Sequence, residues 1–339
     1  MVVLPPPLRV PYKVVNGVEI PTDVYLPSVK ESKSLAPVLI NLHGGGFMLG
    51  HAGMNNADQI QYCLDLGWIV LSAEYRLCPA VDLLEGPITD ARDILRWSQN
   101  GGLTRALKEL GPKECPMPDP QRVMAMGASA GGSLALCMSW GVEQPPLAIL
   151  DFYGPKCYDD AAWQQPIPAL ASKLPPPPPT SAFAPLFEEK EIFVGGVSLE
   201  GQNSQLSPST AGDANRNTLR TAFTMKAIAG GQVLQTIWPK FPEHLDLIDP
   251  ALNVSDNWPP TAVVHGDADV MVPIQLSARF VALLEEKGVH HEMITVVGEP
   301  HTFLGKMEKG SATWETQLKG FKFLERVLES SYQNAVKVE

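Results

Sequence analysis

A doubly wound α/β fold on a mostly parallel sheet is the class this sequence predicts, and three features predict it. Short, largely apolar runs recur at 38–42, 68–73, 123–126, 147–152, 261–264 and 292–297. Stretches with helical spacing of apolar residues lie between them, as at 88–97 and 274–287. Glycine-rich turns follow directly on two of the runs, at 44–46 and 127–132. Strands apolar on both faces belong to sheets covered on both sides, and alternation with helices gives parallel pairing.

Taken in order, residues 18–26 roughly alternate apolar and polar, which suggests an antiparallel edge hairpin ahead of the parallel part. The run 123–126 reads as a strand feeding a helix at 133–140. In the segment 274–287, Leu276, Phe280, Leu283 and Leu284 recur at helical spacing and Gly288 stops the helix. The alternation breaks between about 155 and 260, where a proline run (175–179) and a Gly/Asn/Ser-rich stretch (195–217) interrupt it. An insertion that still carries Trp163, Phe183, Phe187, Phe193 and Trp238 reads as a folded cap, these aromatics forming its core and the proline run a stiff surface connection. The expected organisation is a core of residues 1–154 and 261–339 with a cap or lid at 155–260.

Composition narrows the function. With 339 residues and 45% hydrophobic content the chain is long and apolar enough for a sizeable core, which excludes a disordered chain. A net charge of −11 argues against a nucleic-acid or anionic-membrane binder. Residues 123–142 carry no charge but hold Gly127, Gly131, Gly132, Ser129 and Ser133, so a buried strand–turn–helix explains them better than a membrane span. Cys63, Cys78, Cys115, Cys137 and Cys157 are odd in number and lack metal-site spacing, which favours buried free thiols. No secretory signal is visible, and a cytoplasmic location is expected.

The chemistry concentrates in two motifs. Gly127-Ala128-Ser129-Ala130-Gly131 lies between a strand and a helix. So tight a turn strains the serine backbone, lifts its hydroxyl above the sheet edge at a helix N-terminus, and needs glycines where side chains would clash. His43-Gly44-Gly45-Gly46-Phe47 follows the strand at 38–42. Consecutive glycines let amides approach a ligand closely, so the N–H groups of Gly45, Gly46 and Ala130 are candidate oxyanion donors. His43 is expected to order the loop.

On these residues, and on Glu74-Tyr75-Arg76-Leu77-Cys78-Pro79, the chain resembles the α/β-hydrolase superfamily, specifically its esterase/lipase branch related to hormone-sensitive lipase. That resemblance covers roughly 35–154 and 255–330. It implies an α/β-hydrolase fold with the order oxyanion loop, serine, acid, histidine along the chain. His301, directly after the last apolar strand, occupies the position of the base. The segment Asp267-Ala268-Asp269-Val270-Met271-Val272-Pro273 points to Asp269 as the acid. Here the pattern is closer to dienelactone-hydrolase and peptidase relatives. Asp267 competes with Asp269 but reads as a turn-shaping residue, and His265 as a packing residue at the strand end. His290 and His291 read as solvated, and His51 and His244 as surface residues.

No metal-ligand spacing and no dinucleotide or phosphate loop is present, so no cofactor is implied. The expectation is a serine hydrolase of a small or medium apolar ester or lactone, with Ser129 as nucleophile, His301 as base and Asp269 as acid. A non-hydrolytic catalyst of natural-product metabolism (lyase, acyltransferase or cyclisation) is the main alternative, and a ligand receptor on a retired hydrolase scaffold a third. The resemblance leaves a homodimer open.

Overall fold

A computed structural model describes residues 2–28, 35–176, 178–188, 195, 214–305 and 307–336. Among these, eight strands form one sheet in the order β1-β2-β4-β3-β5-β6-β7-β8. They are β1 (Leu8–Val15), β2 (Val18–Tyr25), β3 (Ala36–Leu42), β4 (Ile69–Ala73), β5 (Pro118–Ala128), β6 (Ile149–Phe152), β7 (Thr261–Gly266) and β8 (His291–Val296). β1 and β2 form the antiparallel edge, turned by Asn16 and Gly17 at φ of 49° and 81°, the left-handed pair that a two-residue hairpin requires. From β4 to β8 every pairing is parallel.

The helices are α1 (Ala57–Asp65), α2 (Thr89–Gln99), α3 (Gly102–Leu110), α4 (Ala130–Leu136), α5 (Pro168–Ala171), α6 (Ala184–Glu188), α7 (Ala214–Ala229), α8 (Val233–Ile237), α9 (Ile274–Glu286) and α10 (Ala312–Val336). Successive residues of the buried strands feed opposite layers, as the period of two demands. Val38, Ile40, Leu42 and Val263 pack with α2, α3, α4 and α9 through Ile94, Leu103, Leu134 and Phe280. Leu39, Ala262 and Val264 pack with α1 and α10 through Ile60, Leu64, Phe321 and Leu324.

Three elements depart from the sequence reading. β1 supplies the other strand of the expected edge hairpin, to which the sequence reading gives no range of its own, and β5 starts at Pro118, five residues earlier than its apolar run. The helix after Ser129 starts at once, at Ala130, and ends in a 3-10 turn at Cys137–Ser139.

Residues 155–260 run between β6 and β7 and carry α5 to α8. Among the described residues of this insertion, Ala227, Leu234, Ile237 and Trp238 join the layer that holds α2, α4 and α9. Phe183 and Trp238 are buried, whereas Phe187, expected in a cap core, is 55% exposed, its ring resting edge-on against Phe223. Phe193 and most of the stretch 195–217 lie outside the described residues. All five cysteines are free thiols, four buried and Cys115 half-buried. Among the described residues no helix is long and apolar enough to cross a membrane.

Candidate active site

The strand β5 delivers Ser129 to the start of α4 in a left-handed backbone (φ 53°, ψ −124°), a conformation that non-glycine residues adopt at a cost. The surrounding glycines make the turn possible. A methyl group on Gly127 would fall on the carbonyl of Gly131, and one on Gly131 on the carbonyls of Leu42 and His43. Ala130 is buried at the first position of α4, where a helix leaves its N–H groups without intrahelical acceptors.

The Ser129 hydroxyl donates to His301 Nε2 at 3.0 Å, and His301 Nδ1–H donates to Asp269 Oδ2 at 2.7 Å. His301 comes from the turn after β8 and Asp269 from the loop after β7, so three loops at the C-terminal edge of the sheet meet. The ring of Tyr153, just past β6, packs edge-on against His301 with centroids 4.9 Å apart. Asp269 is buried, which alone would raise its pKa. The pull of His301, the bonds from both His265 and His301, and the Val272 N–H outweigh burial and hold it below the usual carboxylate range. Its Oδ1 accepts the backbone N–H groups of Met271 at 2.8 Å and Val272 at 2.9 Å. Asp267 instead accepts the Gly298 N–H at 2.6 Å, tying two loops together.

The glycine loop lies across the same cavity. Gly45, Gly46 and Phe47 all have positive φ, and a side chain on Gly45 would run into the Leu49 carbonyl. His43 orders this loop: its ring stacks on Tyr75 at 4.2 Å, its Nδ1–H donates to Gly44 O, and the Tyr75 hydroxyl donates to His43 O. Burial drops the His43 pKa to about 3, so the ring stays neutral beside Glu74. His51 is a correction: it is buried at 5% exposure within the turn after the glycine loop, not on the surface. His244 and His290 are exposed, and His291 is half-buried.

A cavity of about 280 Å³ is lined by Gly45, Gly46, Ser129 and His301, and by Trp163, Ile228 and Leu234 from the insertion. No Asp, Glu, Lys or Arg lines it among the described residues. Trp163 is fixed by its indole N–H, which lies 3.0 Å from both Lys156 O and Cys157 O. Helix α7 lies directly on the glycine loop, with Thr224 and Ile228 beside Gly46. The buried guanidinium of Arg220 donates to Met48 O at 3.1 Å and Cys78 O at 2.9 Å. Sequence reasoning missed this contact, because nothing in the spacing brings residue 220 to residue 48. It also missed Lys156, Ser277 and the bond from His265 to Asp269. Only the four-residue spacing of His265 and Asp269 hinted at the last. Among the described residues no group of three or more His, Cys, Asp or Glu is gathered to hold a metal.

Residues 39–163 match the α/β hydrolase fold family, and residues 221–331 match the prolyl oligopeptidase family. The chain has an α/β-hydrolase fold. The two matches mirror the mixed character of the motifs, with the glycine loop and serine turn in one and the acid and histidine segments in the other. Among solved structures, this α/β-hydrolase-fold chain is similar to esterase 2 of Thermogutta terrifontis. The native form is 18% identical at a TM-score of 0.58, covering 96% of this chain and 92% of that one. The tabun-phosphoramylated form is 19% identical at 0.57, covering 98% and 96%. Likeness at that identity is a likeness of fold. Among curated proteins the chain is 31% identical over 328 residues to the non-reducing polyketide synthase Preu6 of Preussia isomera, covering 93% of this chain. It is 30% identical over 311 residues to the non-reducing polyketide synthase atr1 of Stereocaulon alpinum, covering 86%. The chain spans only 14% and 12% of the lengths of those two relatives.

Proposed function

We propose that this chain is a serine hydrolase of natural-product metabolism that cleaves an uncharged carboxylic ester or lactone through an acyl-enzyme. The observation that carries the reading is the hydrogen-bonded string Ser129–His301–Asp269 in the wall of a cavity with no Asp, Glu, Lys or Arg among its described lining residues. Ser129 attacks the carbonyl carbon while His301 Nε2 takes the hydroxyl proton, and Asp269 steadies the imidazolium that forms. The amides of Gly45, Gly46 and Ala130 receive the developing oxyanion, each such donor typically being worth about 100-fold or more in rate. His301 then hands its proton to the leaving alkoxide. A water molecule, deprotonated by the same imidazole, releases the acid.

The cavity bears on the substrate. Burying an ionised acyl group among Trp163, Ile228 and Leu234 would leave it without a counter-charge, so neutral acyl groups are favoured. Since the curated relatives are polyketide synthases, a polyketide-derived acid is the acyl part we propose. Residues 155–260 then serve as the cap that supplies the apolar wall.

The same relatives favour a second reading, in which the acyl-enzyme passes to an alcohol or to a nucleophile within the acyl chain, giving transfer or cyclisation. One experiment addresses both. Esters of increasing acyl length are incubated with the chain, and the acyl-enzyme and product are followed by intact mass. Free acid supports hydrolysis, and a transferred or cyclised product supports the second reading. Ser129→Ala is expected to abolish both the adduct and turnover while keeping the fold. Turnover at the unsubstituted level in that variant would refute the nucleophile assignment.

A further inference from the structure

Behind Asp269 the hydrogen bonds continue away from the cavity. Asp269 Oδ2 receives a second N–H, from His265 Nε2 at 3.1 Å, and the same nitrogen lies 2.9 Å from Val272 O. Both neighbours of Nε2 are oxygen acceptors, so Nε2 carries the hydrogen. On the other side of the ring, Nδ1 lies 2.8 Å from Ser277 Oγ, which lies 2.9 Å from Lys156 Nζ. An ammonium only donates. Lys156 therefore donates to the Ser277 oxygen, which in turn is hydrogen-bonded to Nδ1. Lys156 is anchored in turn by Asp151 at 2.6 Å, whose other oxygen accepts the Gly154 N–H at 2.8 Å. Asp151, Lys156, His265 and Ser277 are all fully buried. The line thus runs unbroken from a buried lysine to the carboxylate behind His301.

A buried Lys–Asp pair is poor value as a stabiliser, because apolar residues of equal volume commonly do as well or better. Its position at the far end of a line leading to Asp269 gives it a use. We propose that Lys156, Ser277 and His265 are positioning residues. They hold His265 with its Nε2–H toward Asp269 and so present a second donor to Asp269 Oδ2, which holds that oxygen on the line to His301 Nδ1. This inference rests on the reading of Ser129, His301 and Asp269 as the catalytic string.

Among the described residues, these titratable groups stand around Asp269 and His301. Lys156 and Asp151 lie at the end of the line, and Tyr153 packs edge-on against His301 and, at 6.4 Å, against His265. Glu299, two residues before His301, accepts from Thr313 Oγ1 at 2.7 Å. On neighbouring elements, Asp249 is bound by the Cys157 and Tyr158 N–H groups, and Arg279 on α9 pairs with Asp159. Asp267 bonds the Gly298 N–H at the exposed rim.

The test uses the rate at which a fluorophosphonate labels Ser129, read by intact mass from about pH 5 to about pH 9, and needs no natural substrate. Relieved of one donor, Asp269 becomes a stronger partner for the protonated imidazole. The acid limb of the labelling rate should therefore move to higher pH. In His265→Leu the plateau rate should fall roughly tenfold and in Ser277→Ala about fivefold, as expected for the loss of a hydrogen bond to a charged group. His265→Gln, which keeps an N–H at the reach of Nε2, should recover most of both. A folded His265→Leu with the original rate and acid limb overturns the proposal, as does a variant that loses thermal stability while its acid limb stays in place. Should His265→Leu fail to fold, the smaller change Ser277→Ala decides by the same readout. Absence of labelling in the unsubstituted chain, or labelling retained in Ser129→Ala, would instead sink the underlying reading of the site.

Discussion

Ser129 is held in a backbone shape that its own side chain disfavours, and the residues that allow it are the ones that lack a β-carbon. Gly131→Ala places a methyl group on the carbonyls of Leu42 and His43, both main-chain atoms of or beside a buried strand, so they cannot swing aside. We expect this variant to lose about 1–3 kcal/mol in urea unfolding and to lose serine labelling with it. Gly46→Ala is a useful contrast. Its nearest neighbours are side-chain tips of Ile228 and Thr224 at 3.6 Å, so the cost there is the positive φ alone, about 1 kcal/mol. His43 gives a pH prediction whose sign follows from burial. Its folded pKa lies at about 3, under the unfolded value of about 6.5, so between those limits the unfolded chain binds the extra proton. Its contribution to stability is therefore complete above about pH 6.5 and fades as pH falls toward 3. In His43→Phe, which keeps a ring on Tyr75, urea midpoints should fall less steeply over that window.

At the scale of elements, one anchor carries the segment after β4. Asp90 of α2 is fully buried and accepts from the Arg76 N–H at 2.8 Å, from Arg76 Nη2 at 2.7 Å and from Lys13 of β1 at 2.7 Å. Arg76→Ala strips a buried carboxylate of its main partner and should cost about 3 kcal/mol by urea unfolding. This anchor also shows what a sequence makes legible. Strands β3, β4, β6 and β7 are buried throughout, so their apolar runs marked them at once. β1 is an edge strand whose alternation (Leu8, Val10, Tyr12) is crossed by Pro11 with a register shift beside it, and a proline inside so short a run masks the strand. The first residues of β5, Pro118-Asp119-Pro120, carry two prolines and no apolar run, yet Pro118 pairs with Ala36. Ser129, Asp269 and His301 were legible because each follows a readable strand within a few residues. Lys156, Ser277 and Arg220 were not, because what gives them meaning is a contact across more than 100 positions of the chain.

On the scale of the whole molecule, the insertion and the sheet share one apolar layer, and Arg220 joins them at the glycine loop. In Arg220→Met the aliphatic bulk stays while both carbonyls lose their donor. We expect serine labelling to slow about tenfold, from a loosened loop, with the string behind Ser129 unaltered. An unchanged rate would mean that the loop keeps its shape without this tie. Helix α7 has a double contact, forming a wall of the cavity through Ile228 and resting on Gly46 through that same side chain and Thr224. On the proposed function, preference and speed are consequently written in one place. A substitution at position 228 that makes room for a bulkier guest also removes the buttress from an amide that must stand still, so variants chosen there for broader tolerance should come out slower on every guest, the original one included.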